Sequence, residues 1–203
     1  MVKGKLITFE GIDASGKTTL AKEVYKKLKE ENLAVVLVSE PTNTWLGKAV
    51  RRATESNVYP CSEALLFTAD HANLVAKIRR WLSEKKIVLC DRYNDSSYAY
   101  QGVQLRKILA EKGIDSVEWL KSVQRPLTIV PDLTLLLVIE PELALARIKF
   151  RMKSKFERVK FLKQVQELYF EFAAREKRYK KLDATKSVEE LAAEGIKEIK
   201  KLM

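Results

Sequence analysis

The stretch Gly11-Ile12-Asp13-Ala14-Ser15-Gly16-Lys17-Thr18-Thr19 constrains this chain more than any other. It fits the pattern G-x-x-x-x-G-K-[ST], and its flanks suit the pattern. Lys5-Leu6-Ile7-Thr8-Phe9 reads as a short apolar strand, and after the loop Leu20, Val24 and Leu28 recur at a helical step as far as Glu30. Strand, glycine loop and helix together are the context in which the pattern carries chemistry. Backbone N–H groups of such a loop curl around a phosphate, and the positive end of the helix faces the same anion. Lys17 then reaches the β- and γ-phosphates, and the Thr18 hydroxyl can ligate Mg²⁺. A glycine-bearing turn matching by coincidence would need neither flank.

A length of 203 residues suits one α/β domain with a well-buried core. No apolar run approaches the ~20 residues that span a bilayer, and the N-terminus lacks a signal-peptide core, so no membrane association and a cytoplasmic location are expected. Cys61 and Cys90 fit no metal-ligand spacing, and Cys90 ends an apolar run as a buried free thiol would. The net charge of +11 comes largely from lysines interleaved with glutamates along helical stretches, the look of a solvated face. Abundant Lys and Glu with only 7 glycines also resembles a heat-adapted composition. Anionic ligands are attracted in either case. No nucleic-acid reading motif accompanies the charge, so a nucleic-acid partner is not expected.

Along the chain, Ala34 to Ser39 reads as a second strand, ended by Glu40-Pro41-Thr42-Asn43-Thr44. A short helix is expected over Trp45 to Thr54, and a longer one after Pro60 with an apolar side at Leu65, Leu66, Ala69, Ala72, Val75, Ala76 and Leu82. Ile87-Val88-Leu89-Cys90 is the third strand. Asp91-Arg92-Tyr93 stands at its carboxyl end, the edge at which open parallel sheets bind ligands. Helices follow over Leu105–Lys112 and Val117–Val123, and Leu133 to Ile139 makes a fourth strand. A helix with Arg147, Lys149 and Arg151, a basic segment to Arg158, and an amphipathic helix to about Tyr179 come next. Lys181 to Ala184 reads as a short fifth strand, and Val188 to Leu202 as a closing helix. Alternating strands and helices, with neither repeat nor linker, predict a single α/β domain over residues 1–203.

Further stretches narrow the choice among nucleotide-binding proteins. They are Phe9-Glu10-Gly11 through Thr19, Glu40-Pro41 with Gly47 and Arg51, Leu66-Phe67 with Ala69, and Asp91-Arg92-Tyr93 through Tyr100-Gln101-Gly102. With Pro131-Asp132-Leu133-Thr134 and Pro141-Glu142, the sequence resembles the thymidylate kinases. The resemblance implies a three-layer P-loop kinase fold, with about five parallel strands flanked by helices and a lid over residues 147–158. It implies transfer of phosphate from ATP to dTMP with Mg²⁺, in a homodimer packed through long helices, for which the apolar face of residues 64–82 is a candidate surface.

Residue by residue, the glycine loop from Gly11 to Thr19 would hold ATP. Thr18 and Asp91 would serve the metal, and Lys17 the donor phosphates. Arg92 would hold the acceptor monophosphate, for which its planar fork is suited. Asp13, Glu40, Arg51, Phe67, His71, Ser97, Tyr100 and Gln101 fall on substrate positions. Phe67 would stack on thymine, and Tyr100 would crowd a 2′-hydroxyl. Ala14 stands where some members carry a catalytic arginine, which shifts that role to the lid cations, Arg151 and then Arg147. Adenine contacts are suggested near Asp183-Ala184-Thr185.

Two departures stand out. Ser39-Glu40-Pro41-Thr42-Asn43 replaces Arg-Glu-Pro-Gly-Gly, and His71 replaces an arginine that reaches the base. A neutral imidazole can donate only one hydrogen bond to a base carbonyl, which bears on thymine selection. The rival readings are a deoxynucleoside monophosphate kinase of broader specificity and, in another class, a P-loop ATPase or switch that binds nucleic acid. Against the latter, the third strand ends in Asp-Arg and not in an acidic pair that would activate water.

Overall fold

The computed structural model describes residues 4–147 and 159–203. Five strands form one all-parallel sheet: β1 (Lys5–Gly11), β2 (Val35–Ser39), β3 (Ile87–Asp91), β4 (Leu133–Val138) and β5 (Tyr179–Asp183), in the order β2-β3-β1-β4-β5. The helices are α1 (Lys17–Glu30), α2 (Trp45–Glu55), α3 (Pro60–Ser83), α4 (Asn94–Ala110), α5 (Ser116–Gln124), α6 (Pro141–Ala146), α7 (Val159–Arg175) and α8 (Val188–Lys200). They cover both faces of the sheet, which is why β3 is buried along its whole length and why β1 and β4 read as nearly unbroken apolar runs. In register, Phe9 of β1 lies beside Asp91 of β3 and Leu135 of β4. The glycine loop and the Asp91-Arg92 pair therefore leave the same edge of the sheet side by side.

The main core lies where α1, α4, α7 and α8 meet the sheet, around Phe9, Leu20, Leu89, Leu135, Leu162 and Tyr169. A smaller cluster under α3 joins Leu74, Val75 and Ile78 to Leu6, Val88 and Tyr93. Of the α3 side named above, Val75 is core, Leu66, Ala72 and Leu82 are half-buried, and Leu65, Ala69 and Ala76 are exposed. Close backbone approach demands glycine at positions 11 and 47, among others. A Cβ on Gly11, whose φ is +138°, would come within 2.5 Å of the Leu137 carbonyl oxygen. One on Gly47 would fall 1.9 Å from the Thr42 carbonyl oxygen.

Two boundaries differ from expectation. Helix α4 begins at Asn94, well before Leu105, because its polar first turns are buried towards the sheet edge and not solvated. Helix α7 ends at Arg175, and Tyr179 opens β5. Arg178 makes this junction. Its guanidinium donates to both oxygens of the buried Asp95 carboxylate, at 2.7 and 3.0 Å, and to the Thr134 hydroxyl at 2.5 Å. Among the described residues no helix is long and apolar enough to cross a membrane.

Candidate active site

The glycine loop turns tightly from β1 into α1, with Ala14 at φ 61° and Gly16, the N-cap, at φ 100°. Lys17 folds back over it, its Nζ donating to the Ile12 carbonyl at 2.7 Å and the Ser15 hydroxyl at 3.3 Å. Burial, helped by the nearby Arg92 charge, lowers the Lys17 ammonium to about 7. An arriving phosphate would reverse that by supplying the missing counter-charge.

Beside the loop, the Thr18 hydroxyl donates to Asp91 Oδ2 at 2.5 Å. Asp91 Oδ1 is buried and meets no hydrogen-bond partner among the described residues. A hydroxyl and an orphaned carboxylate oxygen at the phosphate end are donors that fit Mg²⁺, a hard cation that takes the rest of its shell from water and phosphate. No group of three or more His, Cys, Asp or Glu among the described residues could hold a metal alone.

Arg92 leaves β3 with φ 67°, its N–H donating to the Phe9 carbonyl at 3.0 Å. Its guanidinium pairs with Asp13 of the glycine loop, donates to the Ser96 hydroxyl at 3.2 Å and lies 5.0 Å over the Tyr100 ring. Behind it sits Glu10, wholly buried. Glu10 accepts from the Tyr93 amide at 2.8 Å, the Ser96 hydroxyl at 2.6 Å and the Tyr169 hydroxyl at 2.8 Å. Burial, reinforced by Asp95, raises the Glu10 carboxyl to about 7.

These groups open into one cavity of about 850 Å³. One end is lined by Lys17, Thr18, Arg147, Ala184 and Lys186, the other by Arg51, Phe67, Arg92, Ser97, Tyr100 and Gln101. Thr18 also borders a neighbouring cavity of about 630 Å³, which Asp91 faces. A cavity with a phosphate cradle at one end and the Arg92 guanidinium beside an aromatic wall at the other suits two anionic ligands held end to end.

The sequence matches the thymidylate kinase family model over residues 9–194. A probable thymidylate kinase of Methanosarcina barkeri is 43% identical over 202 residues, 98% of this chain and 97% of that protein. Another, of Methanococcoides burtonii, is 41% identical over 201 residues, with 98% and 97% covered. One from Sulfolobus acidocaldarius is 39% identical over 197 residues, 93% of each chain. The chain belongs to the thymidylate kinase family.

Most thymidylate kinase positions named from the sequence converge on the cavity, among them Asp13, Lys17, Thr18, Thr19, Glu40, Arg51, Phe67, Arg92, Ser97, Tyr100 and Gln101. Phe67 is half-buried at the cavity wall and not packed away in the core. His71 does not join them. It is buried outside the lining, with Nδ1 2.8 Å from Glu40 Oε1 and Nε2 3.0 Å from Thr128 Oγ1. In this structure both ring nitrogens are engaged, and His71 braces Glu40, which itself lines the cavity.

Arg51 does line the cavity, but its guanidinium donates to the carbonyls of Pro41 at 2.9 Å and Thr42 at 2.5 Å. Arg147 donates to the Ala184 carbonyl at 2.7 Å and the Ser15 carbonyl at 3.4 Å, tying the glycine loop to the loop before α8. Arg151, Lys149 and Arg158 lie outside the described residues.

The departure at residues 39–43 has its own support. Asp70 of α3 accepts from the Thr42 amide at 2.7 Å and the Thr42 hydroxyl at 2.6 Å, and the Glu40–Pro41 bond is cis. Sequence reasoning missed Asp70, Glu10, Ser96 and Tyr169 as supports of the site. Glu10 carried a usable signal, an acid inside an otherwise apolar strand next to the loop. Asp70 and Tyr169 carried none, since polar or aromatic residues on helices are ordinary.

Proposed function

We propose that this chain transfers the γ-phosphate of ATP to dTMP, giving ADP and dTDP, with Arg92 as the clamp on the acceptor phosphate. The observation that carries the reading is the contact between Arg92 and Asp13. The guanidinium that would hold the acceptor already touches the loop that would hold the donor, so two phosphates bound there meet end to end. Phosphoryl transfer asks for alignment and charge neutralisation more than for a strong base, and this arrangement supplies both. The acceptor phosphate displaces Asp13 from Arg92 and takes the same fork bidentately. The freed Asp13 carboxylate turns to the sugar. Lys17 and the loop amides neutralise charge on the donor, and Lys17 is protonated in that state. Thr18 and Asp91 would hold Mg²⁺, which when bound would neutralise charge on the donor phosphates.

Phe67 stacks on the base while Ser97 and Gln101 face its edges. The Tyr100 ring, fixed under Arg92, closes the space a 2′-hydroxyl would need. A lid cation from residues 147–158 completes the neutralisation, Arg151 first and then Arg147, and two chains associate through α3. Truncation at the clamp tests the reading. In a coupled assay of ADP formation, Arg92→Ala is expected to lower kcat/KM for dTMP by about 10³-fold or more, as loss of a transition-state charge partner does. Full turnover by that variant would overturn it.

A second reading, acceptance of other deoxynucleoside monophosphates, is favoured by His71, which leaves no arginine at the position that reaches the base in other members. Comparable kcat/KM for dTMP, dUMP and dCMP would support it.

A further inference from the structure

A chain of polar groups runs behind the nucleoside end of the cavity, and two of its members, Glu63 and Gln104, take no part in the steps above. Glu63, on α3, is wholly buried. Its Oε1 accepts from the Thr54 hydroxyl at 2.8 Å, and its Oε2 from the Gln104 amide nitrogen at 3.4 Å. Gln104 in turn presents Oε1 to Nε2 of Gln101, at 3.4 Å. Gln101, only 1% exposed, lines the cavity near Phe67 and Ser97.

The direction of this chain follows from its end group. A carboxylate only accepts hydrogen bonds. Gln104 must therefore turn its NH₂ to Glu63, which leaves its carbonyl oxygen for Gln101, and Gln101 must turn its own NH₂ to meet that oxygen. A primary amide is nearly the same shape either way round, so an isolated glutamine could present either end to a ligand. Here, reversing Gln101 would set two carbonyl oxygens against each other. Reversing both amides would set an oxygen against the carboxylate.

We propose that Glu63 is a specificity-determining positioning residue: through Gln104 it fixes which way round the Gln101 amide meets the acceptor base, selecting the imide edge of thymine over the amino edge of cytosine. The inference rests on the reading that this end of the cavity holds the base of dTMP. N3 of thymine is a donor between two carbonyls, whereas N3 of cytosine is an acceptor beside an amino donor. The two edges require opposite orientations of a facing amide. An amide free to turn satisfies both, while a fixed one leaves polar groups unpaired against the wrong base. Uracil shows the same imide edge as thymine, so the chain is blind to the 5-methyl group. It supplies a discrimination that His71, engaged by Glu40 and Thr128, does not.

The test is kcat/KM for dTMP, dUMP and dCMP at one saturating ATP concentration, in the parent protein, Glu63→Gln and Gln104→Met. An amide at 63 can donate or accept, so both orientations of the chain become satisfiable. The dCMP/dTMP ratio is expected to rise about 10-fold or more, with dUMP/dTMP staying within about two-fold. Gln104→Met cuts the chain without touching buried Glu63, gives the same pattern, and carries the test should Glu63→Gln fail to fold. If both ratios rise together the pocket has merely loosened, and the proposal is overturned; it is equally overturned if neither ratio moves. Gln101→Ala separates the two levels. Unchanged values for all three substrates in that variant would remove the base-end assignment itself. Lost discrimination there, with unmoved ratios in the other two variants, would remove only the role of Glu63.

Discussion

At Lys17 an ammonium is buried with a carbonyl and a hydroxyl as its hydrogen-bond partners, and burial with the nearby Arg92 charge pulls it down to about 7 despite Asp13, Asp91 and Glu10. A bound nucleotide phosphate restores the charged form, so above pH 7 binding must take up a proton. Calorimetry of ADP binding at pH 8, in buffers of different ionisation heat, is expected to show uptake approaching one proton. Affinity should fall up to about 10-fold per pH unit above 7. Heats that do not depend on the buffer would contradict this. Glu10 is displaced in the opposite sense, up to about 7 from 4.5. The folded chain keeps a proton there between these values that the unfolded chain releases, so this group's contribution is full below about pH 4.5 and is lost as pH rises through 7. Glu10→Gln removes the titration. Its stability relative to the parent is expected to improve by on the order of 3 kcal/mol from pH 4 to pH 8 in urea unfolding.

Among the elements, the loop from β2 to α2 depends on a residue of α3. Asp70 holds the amide and hydroxyl of Thr42, while Arg51 holds the carbonyls of Pro41 and Thr42. Asp70→Asn removes the charge and one acceptor. It is expected to cost about 1–3 kcal/mol of stability and to raise KM for dTMP with little change in KM for ATP. Equal effects on both constants would place the loop elsewhere in the mechanism. Strands β1, β3 and β4 were legible because doubly buried strands must be short and apolar, and β2, an edge strand half-buried beyond Val35, showed the same β-branched run. The start of α4 was not, since Asn94, Asp95 and Ser97 carry no apolar periodicity, and only the fold buries them. The glycine loop, Phe67 and Arg92 could be named from local pattern and family resemblance. The turning-away of His71 could not, because Thr128, the partner of its Nε2, lies 57 residues on.

Across the whole molecule, the order β2-β3-β1-β4-β5 brings the first and last thirds of the chain to one sheet edge. Nothing in local periodicity carries that order; it follows from which strands can pair while every crossover keeps its hand. Arg178 and Asp95 are its clearest product, since the first turn of α4 is held by a guanidinium from the turn just ahead of β5. Removing Arg178 alone strands a buried carboxylate, so Arg178→Met is expected to cost about 3–5 kcal/mol. Adding Asp95→Asn should recover part of that loss, and a double variant as unstable as the single one would argue against the pairing. Because Ser96 and Ser97 follow directly on Asp95, a fragment stopping short of residue 178 would lack more than an edge strand. The wall meant for the second nucleotide would have lost its anchor, and the donor end would have lost Ala184 and Lys186 with the Arg147 contact that braces the glycine loop, leaving neither nucleotide a finished seat.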